Sequence, residues 1–285
     1  MEIQEIRQII GCINPQISVT GAVAFRAEED GAEYNVWKIS TDGAPLVLKK
    51  IRPQEKEVYQ HFFSQDGPAP KVFGSFDDWM LMEYIPGHTL SQCCREDLVL
   101  ALDTLIESQK KFWNRDEYSG IGFDFEICCA RRRNRLPYLE DLTGCYEAYM
   151  ESFRTVPRTL CNDDMLPFNV IISQNRAVIL DWEYGGILPY PCALARLIAY
   201  GEEDENALFY LKREDQIFAV EYYYENLIKD MGIPYGEYIR TMKLFFFKEY
   251  SEWIYCANES GDRSGEYYRK YAPLARKIAA DLGYE

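Results

Sequence analysis

The segments LCNDDMLPFNVII at residues 160–172 and VILDWE at residues 178–183 are the most informative part of this chain for its fold. Apolar runs rich in Val and Ile predict short buried strands, and the polar residues 173–176 between them predict a hairpin turn. Such a hairpin would bring Asp164, Asn169 and Asp181 together. One carboxylate beside an amide and a second carboxylate suits phosphoryl transfer, which needs an oriented hydroxyl and a bound Mg²⁺.

The order of these residues resembles the catalytic hairpin of the aminoglycoside phosphotransferase and choline kinase family, whose pattern is H-G-D-x-x-P-x-N followed by I-D-[WF]-E. The resemblance implies that Asp164 is the catalytic residue and that Asn169 and Asp181 are the metal ligands. It also implies a two-lobed, protein-kinase-like α+β fold. The chain departs from the family at Asn162, where a His is expected, and at Ala193, where an Asp is expected.

A lysine inside an apolar strand precedes this hairpin in the order that a kinase requires. Lys49 follows three apolar residues and resembles the strand lysine that contacts the α- and β-phosphates, although an edge-strand lysine is the alternative interpretation. The helix predicted after Pro53 has apolar residues three, four and seven positions beyond Glu55. By resemblance Glu55 pairs with the lysine, and Glu57 in the same helical turn remains an alternative.

Two further nucleotide-binding segments are expected from the resemblance. Residues Met82, Glu83, Tyr84 and Ile85 end a predicted strand before a Pro-Gly break and would form the hinge that binds adenine. A plain strand end is the alternative. Residues 31–39 would cover the phosphates, but they contain one glycine instead of a glycine-rich run.

The composition indicates one compact, soluble enzyme. With 285 residues, of which 47% are hydrophobic, the chain can bury a large core. It shows no signal peptide and no apolar span, so we expect a cytoplasmic protein without membrane association. The 9 cysteines lack metal-ligand spacing and suggest reduced thiols, and 2 histidines make a His-based metal site or a Ser-His-Asp triad improbable.

The formal net charge of −15 makes nucleic acid a poor partner and favours a cationic small molecule. The basic run at residues 131–135 is expected to be a solvated helix face, and binding of an acidic partner is the alternative interpretation. The C-terminal third predicts four helices that mix aromatic residues with carboxylates, and Glu249, Glu252 and Trp253 are the candidate substrate residues. Core aromatics with solvated acids are the alternative interpretation.

The sequence therefore predicts an antiparallel-sheet N-terminal lobe with one helix at residues 1–82 and a mostly helical C-terminal lobe at residues 83–285. The predicted activity is ATP- and Mg²⁺-dependent phosphorylation of a hydroxyl on a small molecule, with a cationic acceptor such as an aminoglycoside, a choline-like alcohol or an amino sugar favoured. A nucleotide-binding pseudokinase or scaffold is the alternative, because of Asn162, Ala193 and the glycine-poor loop. The acceptor, the oligomeric state and the choice between ATP and GTP stay open.

Overall fold

The N-terminal lobe is built on a twisted antiparallel sheet with the strand order β1-β2-β3-β5-β4. The computed structural model describes residues 1–26, 33–63, 67–133, 135, 139–262 and 264–284. The sheet strands are β1 (Val19–Arg26), β2 (Glu33–Thr41), β3 (Leu46–Lys50), β4 (Val72–Phe76) and β5 (Trp79–Glu83). Strand β3 lies at the centre, with Lys49 opposite Val36 on one side and Met80 on the other. A central position for this strand excludes the edge-strand interpretation of its lysine.

Helix α1 (Ile3–Ile13) covers one face of this sheet. The prediction of a single helix in this lobe is therefore wrong. Ile6, Ile9 and Ile10 recur at helical spacing and are buried against sheet residues such as Leu48 and Leu81. These isoleucines are the sequence signal for the additional helix, which closes a small core of its own.

Helix α2 (Pro53–Phe62) covers the other face and faces the C-terminal lobe. It begins at a proline, which suits the first helical turn because its missing N–H needs no partner there. The Phe62 ring lies 5.1 Å from that of Phe112, and the Phe63 ring lies 4.6 Å from that of Trp182. Through these contacts α2 belongs to the large core of the C-terminal lobe.

The C-terminal lobe is mostly helical, as predicted. Its helices are α3 (Arg95–Phe112), α4 (Phe125–Arg132), α5 (Thr143–Thr155), α6 (Pro191–Ile198), α7 (Arg213–Tyr223), α8 (Tyr235–Glu259) and α9 (Glu266–Asp281), and a π-helical turn at Tyr224–Ile228 extends α7. Its strands are β6 (His88–Thr89), β7 (Arg158–Asn162), β8 (Val170–Ser173), β9 (Arg176–Ile179) and β10 (Gly185–Pro189). Strands β8 and β9 form the predicted hairpin, with Val170 opposite Ile179, and β10 pairs with β7.

The structure thus has the two-lobed kinase-like α+β fold. No helix within the described ranges is long and apolar enough to cross a membrane. All nine cysteines are free thiols, including the adjacent pairs Cys93–Cys94 and Cys128–Cys129. The fold is therefore held by packing and by polar networks, and its two hydrophobic cores lie on opposite faces of the N-terminal sheet.

Candidate active site

Asp164 lies in the loop that leaves β7, at the bottom of the cleft. A short 3-10 turn at Pro167–Asn169 follows and returns the chain to β8. The side-chain nitrogen of Asn169 donates to the backbone oxygen of Asp164 at 2.8 Å. This bond closes the loop and leaves the side-chain oxygen of Asn169 available to a cation.

Asp181 follows β9 and has a left-handed backbone, with φ 52° and ψ 68°. Such a conformation is uncommon for a residue with a side chain and is typically maintained at functional sites. The backbone N–H of the preceding Leu180 donates to the backbone oxygen of Asn169 at 2.7 Å. The two predicted metal ligands therefore lie on adjacent, directly bonded segments.

Lys49 reaches across the cleft to the second of these ligands. Its Nζ lies 2.6 Å from Oε1 of Glu55 and 2.9 Å from Oδ1 of Asp181. Although burial alone would lower the pKa of Lys49, the two carboxylates raise it, so the lysine is charged. Of the two glutamates proposed as its partner, Glu55 makes the pair, whereas Glu57 accepts a long 3.4 Å bond from the N–H of Gly122.

Asn162, the residue in place of the family His, connects both halves of the site. Its side-chain nitrogen donates to the backbone oxygens of Leu180, at 3.1 Å, and Asp181, at 3.0 Å. Its side-chain oxygen accepts from the backbone N–H of Asp164 at 2.9 Å. One amide therefore braces the proposed catalytic loop around Asp164 and the segment of the proposed metal ligand Asp181 together. Ala193 is buried in α6 and offers no side-chain bond to the loop.

The expected hinge follows β5 at the mouth of the cleft. Met82 and Ile85 are buried. The Glu83 carboxylate accepts from Arg176 at 3.0 Å, while Lys38 lies over the Tyr84 ring at 4.1 Å. The side chain of Glu83 is thus already engaged, so adenine binding would depend on backbone groups. Gly31 and Ala32 of the expected phosphate-covering loop lie outside the described residues.

A cavity of about 360 Å³ opens beside Asp164 on the side of the C-terminal helices. Its walls combine charged, aromatic and thiol side chains: Arg131, Asp163, Asp164, Glu183, Tyr184, Arg196, Glu252, Trp253 and Cys256. Two of the three proposed substrate residues, Glu252 and Trp253, therefore face this cavity. The third, Glu249, is not among the lining residues, and its side chain is only 1% exposed.

Glu249 instead belongs to a buried network of ion pairs behind the cavity. Its Oε2 lies 2.9 Å from Nη1 of Arg196, whose Nη2 lies 2.9 Å from Oδ1 of Asp164. Lys248 contacts Glu249 at 2.8 Å and Glu252 at 2.5 Å. Glu249 thus acts on the site through Arg196, because a fully buried carboxylate has no surface for direct contact with a solute.

The basic run at residues 131–135 contributes to this network, so the prediction of a solvated helix face is wrong for part of it. Arg132 and Arg135 are buried, with Arg132 paired to Asp163 and Arg135 paired to Glu252. Buried guanidinium groups need such partners because desolvation is costly. Arg131 and Arg133 are exposed, as expected.

Sequence reasoning missed Arg196, although it contacts Asp164 at 2.9 Å. Burial raises the pKa of Asp164 above its usual value, and the nearby Arg196 guanidinium opposes this shift. Arg196 stands three positions after Ala193 in the same helix. An arginine in an otherwise apolar helical segment is the signal that could have identified it, because a buried charge needs a partner.

The fold and the converging Lys49, Asp164, Asn169 and Asp181 define a small-molecule kinase. The model of the phosphotransferase enzyme family matches residues 25–224, and the chain belongs to that family. A comparison with curated proteins finds no significant match.

Three solved structures with the same fold illustrate its relatives, and each is distant in sequence. A choline kinase, LicA from Streptococcus pneumoniae, is 16% identical, with 98% of each chain covered and a TM-score of 0.63. An ethanolamine kinase from Plasmodium vivax is 13% identical, covers 90% of this chain and 83% of its own, and has a TM-score of 0.60. Aminoglycoside phosphotransferase APH(4)-Ia, in a complex with AMP-PNP and hygromycin B, is 14% identical over 98% of this chain and 97% of its own, with a TM-score of 0.59.

Proposed function

We propose that the protein transfers the γ-phosphoryl group of ATP, with Mg²⁺, to a hydroxyl group of a small molecule. The observation that carries this proposal is the pair of contacts made by Lys49 Nζ, at 2.6 Å to Glu55 and 2.9 Å to Asp181. They join the expected phosphate-binding lysine to the expected metal ligand. Catalysis of this kind depends mainly on such positioning and on charge stabilisation.

Asp164 is the proposed catalytic residue. As a carboxylate it orients the acceptor hydroxyl and accepts its proton while the acceptor oxygen forms a bond to the γ-phosphorus and the bond to the ADP oxygen breaks. This role is supported by the position of Asp164 in the wall of the cavity, where it also contacts Arg196. Lys49 would hold the phosphates from the opposite side of the cleft.

Asn169 and Asp181 are the proposed Mg²⁺ ligands. The Asn169 side-chain oxygen is left over once its nitrogen bonds Asp164, and Asp181 uses only Oδ1 for Lys49. The described residues contain no cluster of three or more His, Cys, Asp or Glu side chains suited to a metal. Mg²⁺ fits this sparse set, because it commonly combines one or two protein ligands with substrate phosphates and water. The bound ion would neutralise charge on those phosphates.

Met82, Glu83, Tyr84 and Ile85 are the proposed adenine-binding segment, and residue 82 is the proposed end of the N-terminal lobe. The backbone N–H groups of Tyr84 and Ile85 make no hydrogen bond to any described residue, which leaves them as donors for a purine.

The free thiols also support the proposed cytoplasmic location, since reducing compartments keep cysteines unpaired.

The cationic acceptor proposed from the sequence loses part of its support. The printed substrates of the neighbours, choline, ethanolamine and hygromycin B, keep amino alcohols and aminoglycosides in view. The aromatic rings of Tyr184 and Trp253 would suit an ammonium group. However, Glu249 and Glu252 already pair with the protein's own cations.

The pseudokinase alternative is also weakened, because Asn162 supplies the bracing that the missing His had put in doubt.

The test of transfer is ADP release with a panel of hydroxyl compounds, comparing the wild type with Asp164→Asn. We expect the variant to lose about 10²- to 10⁴-fold in turnover, as is typical for removal of a general base. Its ATP affinity should stay close to that of the wild type. Wild-type turnover in Asp164→Asn would show that Asp164 is not the catalytic base.

The metal assignment is tested by titration calorimetry with ATP in the presence and absence of Mg²⁺. The wild type should bind ATP more tightly with Mg²⁺, and Asp181→Ala should lose this difference because its carboxylate is the main proposed anchor of the ion. Equal ATP affinity with and without Mg²⁺ in the wild type would refute the assignment.

A further inference from the structure

The acid-rich wall of the cavity beside Asp164 has almost no negative charge left for a ligand. The buried network contains four carboxylates, and it contains four cations that pair with them. The anions are Asp163, Asp164, Glu249 and Glu252, and the cations are Arg132, Arg135, Arg196 and Lys248. The formal charges of this network therefore cancel.

The remaining charged groups that line the cavity are Glu183 and Arg131. Glu183 pairs with Arg52 at 3.3 Å. Arg131 has no carboxylate partner among the residues that the structure describes, and its guanidinium lies 5.5 Å from the centroid of the Tyr184 ring. This stacking places an exposed, uncompensated positive charge at the wall of the cavity.

The buried polar atoms of the wall do not favour either sign. Nε of Arg196 and Nε1 of Trp253 are N–H donors that lack a hydrogen-bond partner in the described structure, but Oδ1 of Asp163 is an acceptor that lacks one as well. All three residues line the cavity. The sign of the cavity is therefore set by Arg131, its exposed and uncompensated cation. The net charge of −15 does not outweigh this, because charges more than about 8 Å away through solvent are largely screened at physiological salt.

We propose that the phosphoryl acceptor is an alcohol that carries an anionic group, a carboxylate or a phosphate, bound by Arg131. This inference rests on the proposed function and names its substrate class. A guanidinium presents paired N–H donors that match both kinds of anion. Arg131 would bind the anionic group while Asp164, on the same cavity, orients the hydroxyl. The aromatic faces of Tyr184 and Trp253 would then pack against the carbon skeleton of the acceptor.

Two matched sets of alcohols test the charge preference. Glycerate, glycerol and 3-aminopropane-1,2-diol share three carbons, while gluconate, glucose and glucosamine share six; glycerol 3-phosphate and glucose 6-phosphate add the phosphate class. We expect an anionic member of at least one set to exceed the amine about 10-fold or more in kcat/KM, the range for a charge-assisted hydrogen bond. Arg131→Gln should remove this advantage, whereas Arg133→Gln, an exposed arginine that does not line the cavity, should keep it.

A binding measurement covers compounds that are not turned over. Cys256 is an exposed thiol that lines the same cavity, and Cys12 and Cys94 are exposed thiols that do not. An anionic alcohol should slow the alkylation of Cys256, followed by mass spectrometry, without protecting Cys12 or Cys94. Arg131→Gln should abolish this protection.

Preference for the amines would overturn the proposal, as would an anion preference that survives in Arg131→Gln. The absence of both turnover and Cys256 protection by every anionic compound would count against it equally. If Arg131→Gln weakens ATP binding instead, the arginine serves the nucleotide and the proposal fails. Failure of the wild type to bind ATP with Mg²⁺ is a separate result, which would remove the proposed function itself.

Discussion

At the scale of single residues, Arg196 contacts the proposed catalytic carboxylate of Asp164 directly. It stands between Asp164 and Glu249, at 2.9 Å from each, so it shares its charge between the proposed base and a fully buried acid. Burial raises the pKa of Asp164, and the positive charge of Arg196 limits that rise. The arginine therefore keeps the base ionised over a wider pH range.

Replacing this arginine should change the pH dependence of the reaction. A base with a raised pKa is lost by protonation as the pH falls, and Arg196→Met should raise the pKa of Asp164 further. The acidic limb of kcat should then move to higher pH. Arg196→Lys keeps a positive charge beside Asp164 and should show a smaller shift than Arg196→Met. Arg115→Met, which removes an exposed arginine paired with Glu117, serves as the control. An unchanged acidic limb in Arg196→Met would show that the arginine does not act on Asp164.

The sequence predicted which of the proposed site residues lie together, because their order along the chain is informative. Lys49, Asp164, Asn169 and Asp181 each follow or interrupt an apolar run, so their positions could be inferred from the strand pattern. Arg196 and Lys248 could not be inferred in this way. Their roles depend on contacts between α6, α8 and the catalytic loop, which are distant in sequence and set by helix packing.

At the scale of secondary-structure elements, helix α8 forms the rear wall of the cavity. Lys248 and Glu252 lie one turn apart on it, and Lys248 also lies within 3.9 Å of Asp163 on the catalytic loop. Burial lowers the pKa of Lys248 despite these acids, since desolvation and the neighbouring Arg132 outweigh them. The positive charge of Lys248 thus links α8 to the loop that contains Asp163. Burying this charge costs free energy, and removing it would leave buried carboxylates without a partner.

Loss of this charge should destabilise the protein. Lys248→Met would leave buried carboxylates with one cation fewer, and breaking a buried pair costs about 3–5 kcal/mol. Lys243→Met, on the same helix, removes a partly exposed lysine paired with Asp281 at 3.1 Å and should cost about 0–1 kcal/mol. Urea denaturation of the two variants gives the comparison. Equal free energies of unfolding would show that the network contributes little to stability.

Helix α1 shows where element prediction from sequence falls short. The hairpin β8–β9 and the C-terminal helices were predicted because their apolar patterns lie beside recognisable motifs. Helix α1 carries an equally regular pattern of isoleucines, but no motif marks it and its cover for the sheet is a tertiary contact. The large hydrophobic core likewise contains residues of both lobes. A local sequence pattern cannot predict this sharing, because the residues are distant along the chain.

At the scale of the whole molecule, the two lobes are coupled through α2. This helix lies in the N-terminal lobe by sequence, but Val58, Tyr59 and Phe62 are buried in the core of the C-terminal lobe. The backbone N–H of Ile179 in that lobe also donates to the oxygen of Pro68 at 2.7 Å. The proposed division at residue 82 therefore separates the chain by topology more than by packing.

Shared packing should make unfolding cooperative. We expect calorimetry to show one transition whose calorimetric and van't Hoff enthalpies agree. Phe62→Ala, which removes a ring from the shared core, should lower the stability of that single transition by about 3–5 kcal/mol. Two well-separated transitions in the wild type would mean that the lobes unfold independently.

The seating of α2 has a consequence for control of the enzyme. In kinases that are switched on and off, activity can depend on moving the helix whose glutamate meets the strand lysine. Here Phe62 and Phe63, at the C-terminal end of that helix, pack against Phe112 and Trp182. Lys49 already pairs with Glu55. This helix would not have to move for Lys49 and Glu55 to pair. Activity would then follow the supply of the two substrates and the number of enzyme molecules made.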